Sequence, residues 1–170
     1  MEIGRLTDLD AEALLDLRLS ALETEPQSFG ESLDELRDVN AETYVERLRS
    51  GGNENFVMGA FDKSVLVGMA GFYREQRPKL RHKGWVWGVF VSRAYRGKGV
   101  GRTLLNNFLE SARALQGLRC ILLNVATTQE PAKNLYLSLG FRSFGVEPQA
   151  LKVSEDFIAE EHMVLELRQP

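Results

Sequence analysis

The sequence predicts an α/β or α+β fold built on a mixed sheet, and three observations carry that prediction. Apolar runs of strand length alternate with stretches of helical periodicity, two of those runs are joined by a three-residue polar turn, and the later ones are separated by helix-length segments. With 170 residues, 44% of them hydrophobic and 26% charged, the chain can bury a substantial core as one domain spanning residues 1–170. No repeat or low-complexity linker interrupts it.

In chain order, Thr7 or Asp8 caps a first helix that turns Leu14, Leu15, Leu17 and Ala21 inward and ends near Glu25-Pro26. Ser32-Leu33-Asp34-Glu35 has the form of a capping box. Leu33, Leu36, Val39, Tyr44 and Leu48 then recur at helical spacing up to Gly51-Gly52, which predicts one broken helix or two short ones. Phe56 to Phe61 and Val65 to Tyr73 read as strands of a hairpin closed by Asp62-Lys63-Ser64. After a basic loop from Arg74 to Lys83, Trp85 to Val91 forms a strand, and a helix follows carrying Leu104, Leu105, Phe108, Leu109 and Ala112. Arg119 to Ala126 is a buried strand. Glu130-Pro131 opens a helix that runs to Leu139 and is closed by Gly140. Two last strands, Phe141 to Val146 and His162 to Leu167, enclose a loop, and Met163 to Leu167 is a candidate to pair across a homodimer.

Charge divides sharply along the chain. Residues 1–62 hold 15 acids against 5 bases, residues 63–155 hold 5 acids against 15 bases, and residues 156–170 hold 4 acids against 1 base. The basic middle favours a polyanionic ligand, whereas the acidic first third would attract a cation. Basic residues scattered among apolar strands, with a sequence pI of about 5.5, argue against nucleic acid. No apolar run is long enough to cross a membrane, and Met1 to Arg5 carries no apolar signal segment. The single Cys120 excludes an internal disulfide and reads as an inert thiol in an apolar run, so a reducing, cytoplasmic setting is expected. Two histidines, His82 and His162, are too few and too far apart to predict a metal site.

Chemistry concentrates in one segment, where the strand Val89-Phe90-Val91 runs into Ser92-Arg93-Ala94-Tyr95-Arg96-Gly97-Lys98-Gly99-Val100-Gly101-Arg102 and a helix begins. Glycines let the chain turn tightly, and the first amides of a helix have no partner of their own, so the turn reads as an anion cradle with Arg96, Lys98 and Arg102 around it. A dinucleotide fingerprint would need glycine where Arg102 stands and an acid about twenty positions later. A P-loop would need Ser or Thr after Lys98, where Gly99 stands.

Arg96-Gly97-Lys98-Gly99-Val100-Gly101 resembles the Arg/Gln-x-x-Gly-x-Gly/Ala signature of the GNAT superfamily of acetyl-coenzyme A dependent N-acetyltransferases. Ala132-Lys133-Asn134-Leu135-Tyr136, followed by Leu139-Gly140-Phe141, resembles that family's second coenzyme A motif. The resemblance implies a mixed, mostly antiparallel sheet of six to seven strands with helices on both faces. It implies acetyl-coenzyme A as co-substrate, with its diphosphate on the amides from Gly97 to Arg102 and Thr103 adding a hydroxyl. Val89, Phe90 and Val91 would pair with the pantetheine arm, the Val91 amide would hold the oxyanion, and Asn134 would touch the cofactor. A bulge near Gly88 would open the strands. Tyr136 falls on the family's general acid. The acetyl group would pass directly to a primary amine of a small molecule or peptide.

The strand Trp85-Val86-Trp87-Gly88-Val89-Phe90 lacks the carboxylate that many family members carry there. Glu75 is the base candidate carried forward, with Glu31, Glu161 and His162 as others. A catalytically inactive acyl-coenzyme A sensor is the alternative that the missing carboxylate allows. The acceptor side, with its acidic excess and Phe29, Tyr44, Tyr73, Trp85 and Trp87, predicts a cationic acceptor held by carboxylates against an aromatic wall.

Overall fold

A computed structural model describes residues 1–167. Seven strands form one sheet: β1 (Glu2–Arg5), β2 (Asn55–Asp62), β3 (Val65–Arg74), β4 (Lys83–Val91), β5 (Cys120–Ala126), β6 (Arg142–Val153) and β7 (Asp156–Glu166), in spatial order β1-β2-β3-β4-β5-β7-β6. Every neighbouring pair is antiparallel except β4 and β5, which run parallel. Helices α1 (Ala11–Thr24), α2 (Leu33–Leu36) and α3 (Ala41–Ser50) cover one face. The other carries α4 (Val100–Arg113) and α5 (Glu130–Ser138). A parallel neighbour requires a crossover, and α4 supplies it.

Local chemistry explains most boundaries. Thr7 closes a capping box with Asp10 over a single 3-10 turn that feeds α1, its amide donating to Asp10 Oδ2 at 2.8 Å. The Ser32 and Glu35 box caps α2. Asn40 then accepts from the Thr43 amide and starts α3, so the long helical pattern resolves into two helices broken at Asp38 to Asn40. The hairpin turn places Lys63 at φ 56.

One core lies beneath α4, where Phe56, Phe72 and Phe108 meet with ring centroids 5.0 to 5.8 Å apart and Leu104, Leu105, Ile121 and Met163 are buried around them. The other lies beneath α1, where Leu14, Leu17 and Ala21 meet Tyr44, Met69 and Phe90. The two cores anchor β3 and β4 from both sides.

Two expectations change. The segment from Glu147 to Glu161, expected as a loop, continues as a long hairpin of β6 and β7. β6 is exposed along most of its length, so it shows no inward-outward alternation, and Pro148 is tolerated because the strand is at the sheet edge. Met163, expected to pair across a dimer, is already bonded on both sides, to β5 through Leu123 and to β6 through Ser143. β1 was not expected, being a four-residue edge strand with no alternation to mark it.

Phe108 is fully buried at the centre of the aromatic cluster. Phe108→Ala is expected to lower stability by about 3–5 kcal/mol, read as a shift of the urea midpoint. A shift below about 1 kcal/mol would show that α4 is anchored elsewhere.

Candidate active site

β4 and β5 pair over only three residues each, Lys83 to Trp85 against Cys120 to Leu122. Beyond that point they diverge, so the β5-side peptide groups of β4 lose their strand partner. On its other edge β4 carries a bulge, because Trp87 faces Gly71 and Phe90 faces Met69, leaving Gly88 and Val89 opposite Ala70. Gly88 sits at φ +62, the left-handed region that favours glycine. The expected opening is therefore present at Gly88.

A cleft of about 470 Å³ follows this opening on the α4 and α5 side. Val89, Phe90, Val91, Arg96, Gly97, Gly99, Val100, Gly101, Arg102 and Tyr136 all line it. Gly97 and Gly99 adopt φ +73 and +80, and a Cβ at either would meet no atom within 4 Å, so these glycines answer to conformation and not to crowding. Gly101 has the opposite reason, since a Cβ there would come within 3.3 Å of Leu135 where α4 approaches α5. Thr103 is the first amide of α4 to bond back, to the Gly99 carbonyl at 3.0 Å. The amides of Val100, Gly101 and Arg102 precede it and point out of the helix start, which is the donor set a diphosphate requires.

The side chains around the cradle are more occupied than their charges imply. Arg96 donates to the Val91 carbonyl and to Glu25, both at 2.8 Å, and lies over the Phe90 ring. Burial works to raise the Glu25 carboxyl, but the hydrogen bonds and charges of Arg96 and Arg93 outweigh it and hold Glu25 below the ordinary carboxylate range. Arg102 donates to Ser138 Oγ at 2.9 Å, joining the start of α4 to the end of α5. Three expected contacts lie outside the cleft lining. Lys98 lies over Tyr95, the Thr103 hydroxyl donates back to Gly99 at 3.2 Å, and Asn134 is exposed on α5.

Tyr136 is 6% exposed, packed edge-on to Phe141 with centroids 5.9 Å apart. Burial pushes its phenol well above the ordinary tyrosine value, so it stays protonated at neutral pH. Among the described residues its hydroxyl has no hydrogen-bond partner, leaving the proton available to the cleft.

On the other face of the sheet a cavity of about 580 Å³ is walled by Phe29, Tyr44, Tyr73, Trp85 and Trp87, the five aromatics expected there. Its charged groups are balanced, Glu31 and Glu160 against Arg18 and Arg47, so the acidic excess of the first third is not gathered into it. Ser28, Phe29, Val86, Trp87, Gly88 and Asn124 line both spaces, so cavity and cleft meet at the β4 bulge.

The carboxylates separate by face. Glu75 lines neither space; it accepts from the Trp85 indole at 3.1 Å and so fixes part of the aromatic wall. Glu161 points to the α5 side, where hydrogen bonds from Lys133, at 2.6 Å, and Ser143 hold it below the ordinary range. His162 is paired with Glu147 at 3.0 Å. Glu160, not considered from the sequence, lines the cavity, and burial raises its carboxyl above the ordinary value. Strand alternation carried the signal: if Met163 and Leu165 face the core, so does Glu161, and Glu160 faces the other way. Cys120 lies at the start of β5, outside both spaces, its thiol raised by burial. Among the described residues no group of three or more His, Cys, Asp or Glu is placed to hold a metal ion, and no helix is long and apolar enough to cross a membrane.

A bulged strand splayed from a parallel neighbour, with an amide cradle at the helix that follows, defines an acyl-coenzyme A dependent acetyltransferase fold. The acetyltransferase (GNAT) family profile matches residues 15–141, and the chain belongs to that family. N-alpha-acetyltransferase RimI of Mycobacterium tuberculosis is 36% identical over 101 residues, 59% of this chain and 60% of that protein. A Mycobacterium leprae protein of unassigned function is 40% identical over 96 residues, 56% of this chain and 25% of its own length. The match thus spans less than two thirds of either relative. A GNAT acetyltransferase structure from Streptococcus pneumoniae aligns with TM-score 0.89 at 24% identity, covering 98% of this chain and 99% of the other. The yncA structure from Salmonella typhimurium, solved with its cofactor acetyl-CoA, aligns with TM-score 0.86 at 22% identity, covering 100% and 95%.

A side chain at Gly99 would cost about 1–2 kcal/mol in the left-handed conformation, a strain that the free turn relieves by relaxing and that a diphosphate held on the cradle amides would restore. Gly99→Val is therefore expected to weaken coenzyme A binding by about 10-fold in a calorimetric titration. Unchanged affinity would place the diphosphate elsewhere.

Proposed function

We propose that this chain is an N-acetyltransferase that moves acetyl from acetyl-coenzyme A directly onto a primary amine of a small molecule or peptide. The observation that carries the reading is the junction at Gly88, where a cleft lined by the amide cradle opens into a separate aromatic cavity. Two reactants entering from opposite faces of the sheet are held against each other there, so proximity supplies much of the rate. Among the described residues Ser28 carries the one hydroxyl in the lining that cavity and cleft share, and no base is hydrogen-bonded to it, which favours direct attack over a covalent enzyme intermediate.

Acetyl-coenzyme A supplies an activated thioester, whose carbon–sulfur bond breaks as the carbon–nitrogen bond forms. The cradle amides of Val100, Gly101 and Arg102 hold its diphosphate, and the unpaired edge of β4 from Val89 to Val91 takes the pantetheine amides as an added strand. The Val91 amide stabilises the oxyanion. Tyr136 gives its proton to the departing sulfur. Glu160 takes the proton lost by the amine; its raised carboxyl is closer in proton affinity to that task than an ordinary one. Glu75 acts through Trp85, as a positioning residue for the cavity wall.

Thiol release measured with and without amines tests the reading, and coenzyme A binding with no turnover on any amine would favour the sensor alternative. Tyr136→Phe is expected to lower kcat by about 100-fold or more while leaving the coenzyme A Kd within about twofold. A change in Kd with unchanged kcat would remove the acid role.

A base must be deprotonated to act, so kcat/KM should rise with pH through an inflection above the ordinary carboxylate range. Glu160→Gln should abolish that inflection and lower kcat. An unaltered pH profile in the variant would assign the base elsewhere.

A further inference from the structure

Arg18 stands in the inward stripe of α1, between Leu14 and Ala21, and is only 3% exposed. Its guanidinium lies over the rings of Phe29 and Trp87, 5.3 and 5.6 Å from their centroids. Nη2 donates to Glu31, whose side chain is 48% exposed on the segment between α1 and α2. Nε and Nη1 are buried and have no hydrogen-bond partner. A guanidinium does not shed its charge at neutral pH, and its five N–H donors are poorly matched by one carboxylate shared with solvent. Buried, unpaired donors of a charged group are unfavourable, and an aliphatic side chain at this point of the stripe would avoid the penalty. The charge is thus out of place in a helix core and in place in a binding cavity, which it lines.

Its position also sets a length. A Cβ on Gly88 would lie 2.9 Å from Nη1, so the guanidinium abuts the very residue at which cavity and cleft meet. An amine reacting at that junction has its neighbouring carbons within reach of Arg18. An anionic group bound there must therefore be separated from the amine by very few bonds.

We propose, building on the acetyltransferase reading above, that Arg18 binds the carboxylate of an amino-acid acceptor whose amine lies one or two carbons away, and that Glu31 occupies the guanidinium until that carboxylate displaces it. The acceptor is then a zwitterion, its carboxylate on Arg18 and its amine on the Glu160 side of the cavity, with its side chain against the aromatic wall. Glu31 is an internal competitor. It keeps the buried charge partnered in the free protein, and it reduces affinity for the acid by the fraction of time it holds Arg18.

The test compares common L-amino acids with their carboxamides, by thiol release with acetyl-coenzyme A and by calorimetric titration of the acids into protein saturated with coenzyme A. Acids are expected to be the better acceptors. Arg18→Met should raise KM for acids by about 10- to 100-fold and leave KM for carboxamides within about twofold. Glu31→Gln, at an exposed position, should act in the opposite direction and lower KM for acids by about 3-fold or more. Carboxamides used as well as acids, or a Glu31→Gln variant that binds acids more weakly, would overturn the proposal. So would turnover of other amines with neither binding nor turnover of any acid, and that outcome leaves the acetyltransferase reading standing. Absence of turnover with every amine overturns that reading instead, while acids that still titrate and lose binding in Arg18→Met keep the carboxylate site.

Discussion

Everything functional in this molecule depends on the failure of β4 and β5 to stay together. A parallel pair fully bonded along its length would close the sheet and bury the edge of β4. Pairing ends after Trp85 and Leu122, and the bulge at Gly88 turns β4 away. Gly88 is constrained by a φ of +62, and a Cβ there would lie 2.9 Å from the end of the Arg18 side chain, which would have to shift. The same divergence exposes strand edge to the cleft and connects it with the cavity on the opposite face.

The electrostatics follow contacts more than segments. Residues 1–62 and 63–155 carry opposite charge by count, yet the fold brings them into mutual contact. Glu25 holds Arg93 and Arg96, Glu54 holds Arg74 and Arg81, and Asp62 accepts from the Tyr95 hydroxyl. Two carboxylates of the acidic segment thus hold four arginines of the basic one. At the cradle this leaves the backbone amides of α4 as the least committed donors, with Arg96 and Arg102 already oriented by protein partners. Amides fixed by a helix need no reorganisation when an anion arrives.

The glycine turn and the helix after it were legible in the sequence because they are backbone features. Glycine at 97 and 99 is required by left-handed φ, and the apolar spacing of Leu104, Leu105, Phe108 and Leu109 marks the helix that carries the amides. Side-chain roles were less legible. Lys98, Thr103 and Asn134 sit within the right motifs, yet Lys98 lies over the Tyr95 ring, the Thr103 hydroxyl donates to the Gly99 carbonyl, and none of the three is in the cleft lining, local contacts that spacing alone does not reveal. The exposed hairpin of β6 and β7 was invisible because a strand wetted on both faces has no period-two pattern. Glu160 and Glu161 show the limit: adjacent carboxylates with identical composition signals reach opposite faces, and only the register of Met163 and Leu165 separates them.

That separation also explains how one sheet keeps two chemistries apart. On the α4 and α5 face, Glu161 is neutralised by Lys133, so no uncompensated carboxylate stands on that side of β7 to repel an anionic cofactor. On the other face, Glu160 has no comparable cation and burial raises its proton affinity, while the buried guanidinium of Arg18 has more donors than partners. The buried, unpartnered donors of Arg18 thus stand in the cavity, where a ligand of complementary charge would complete them. The cleft is fitted to its ligand by backbone geometry that many side chains would tolerate. The cavity is lined by a few charged side chains, so the acceptor proposed above rests on positions such as Arg18 and Glu160 and not on the motif that reveals the family.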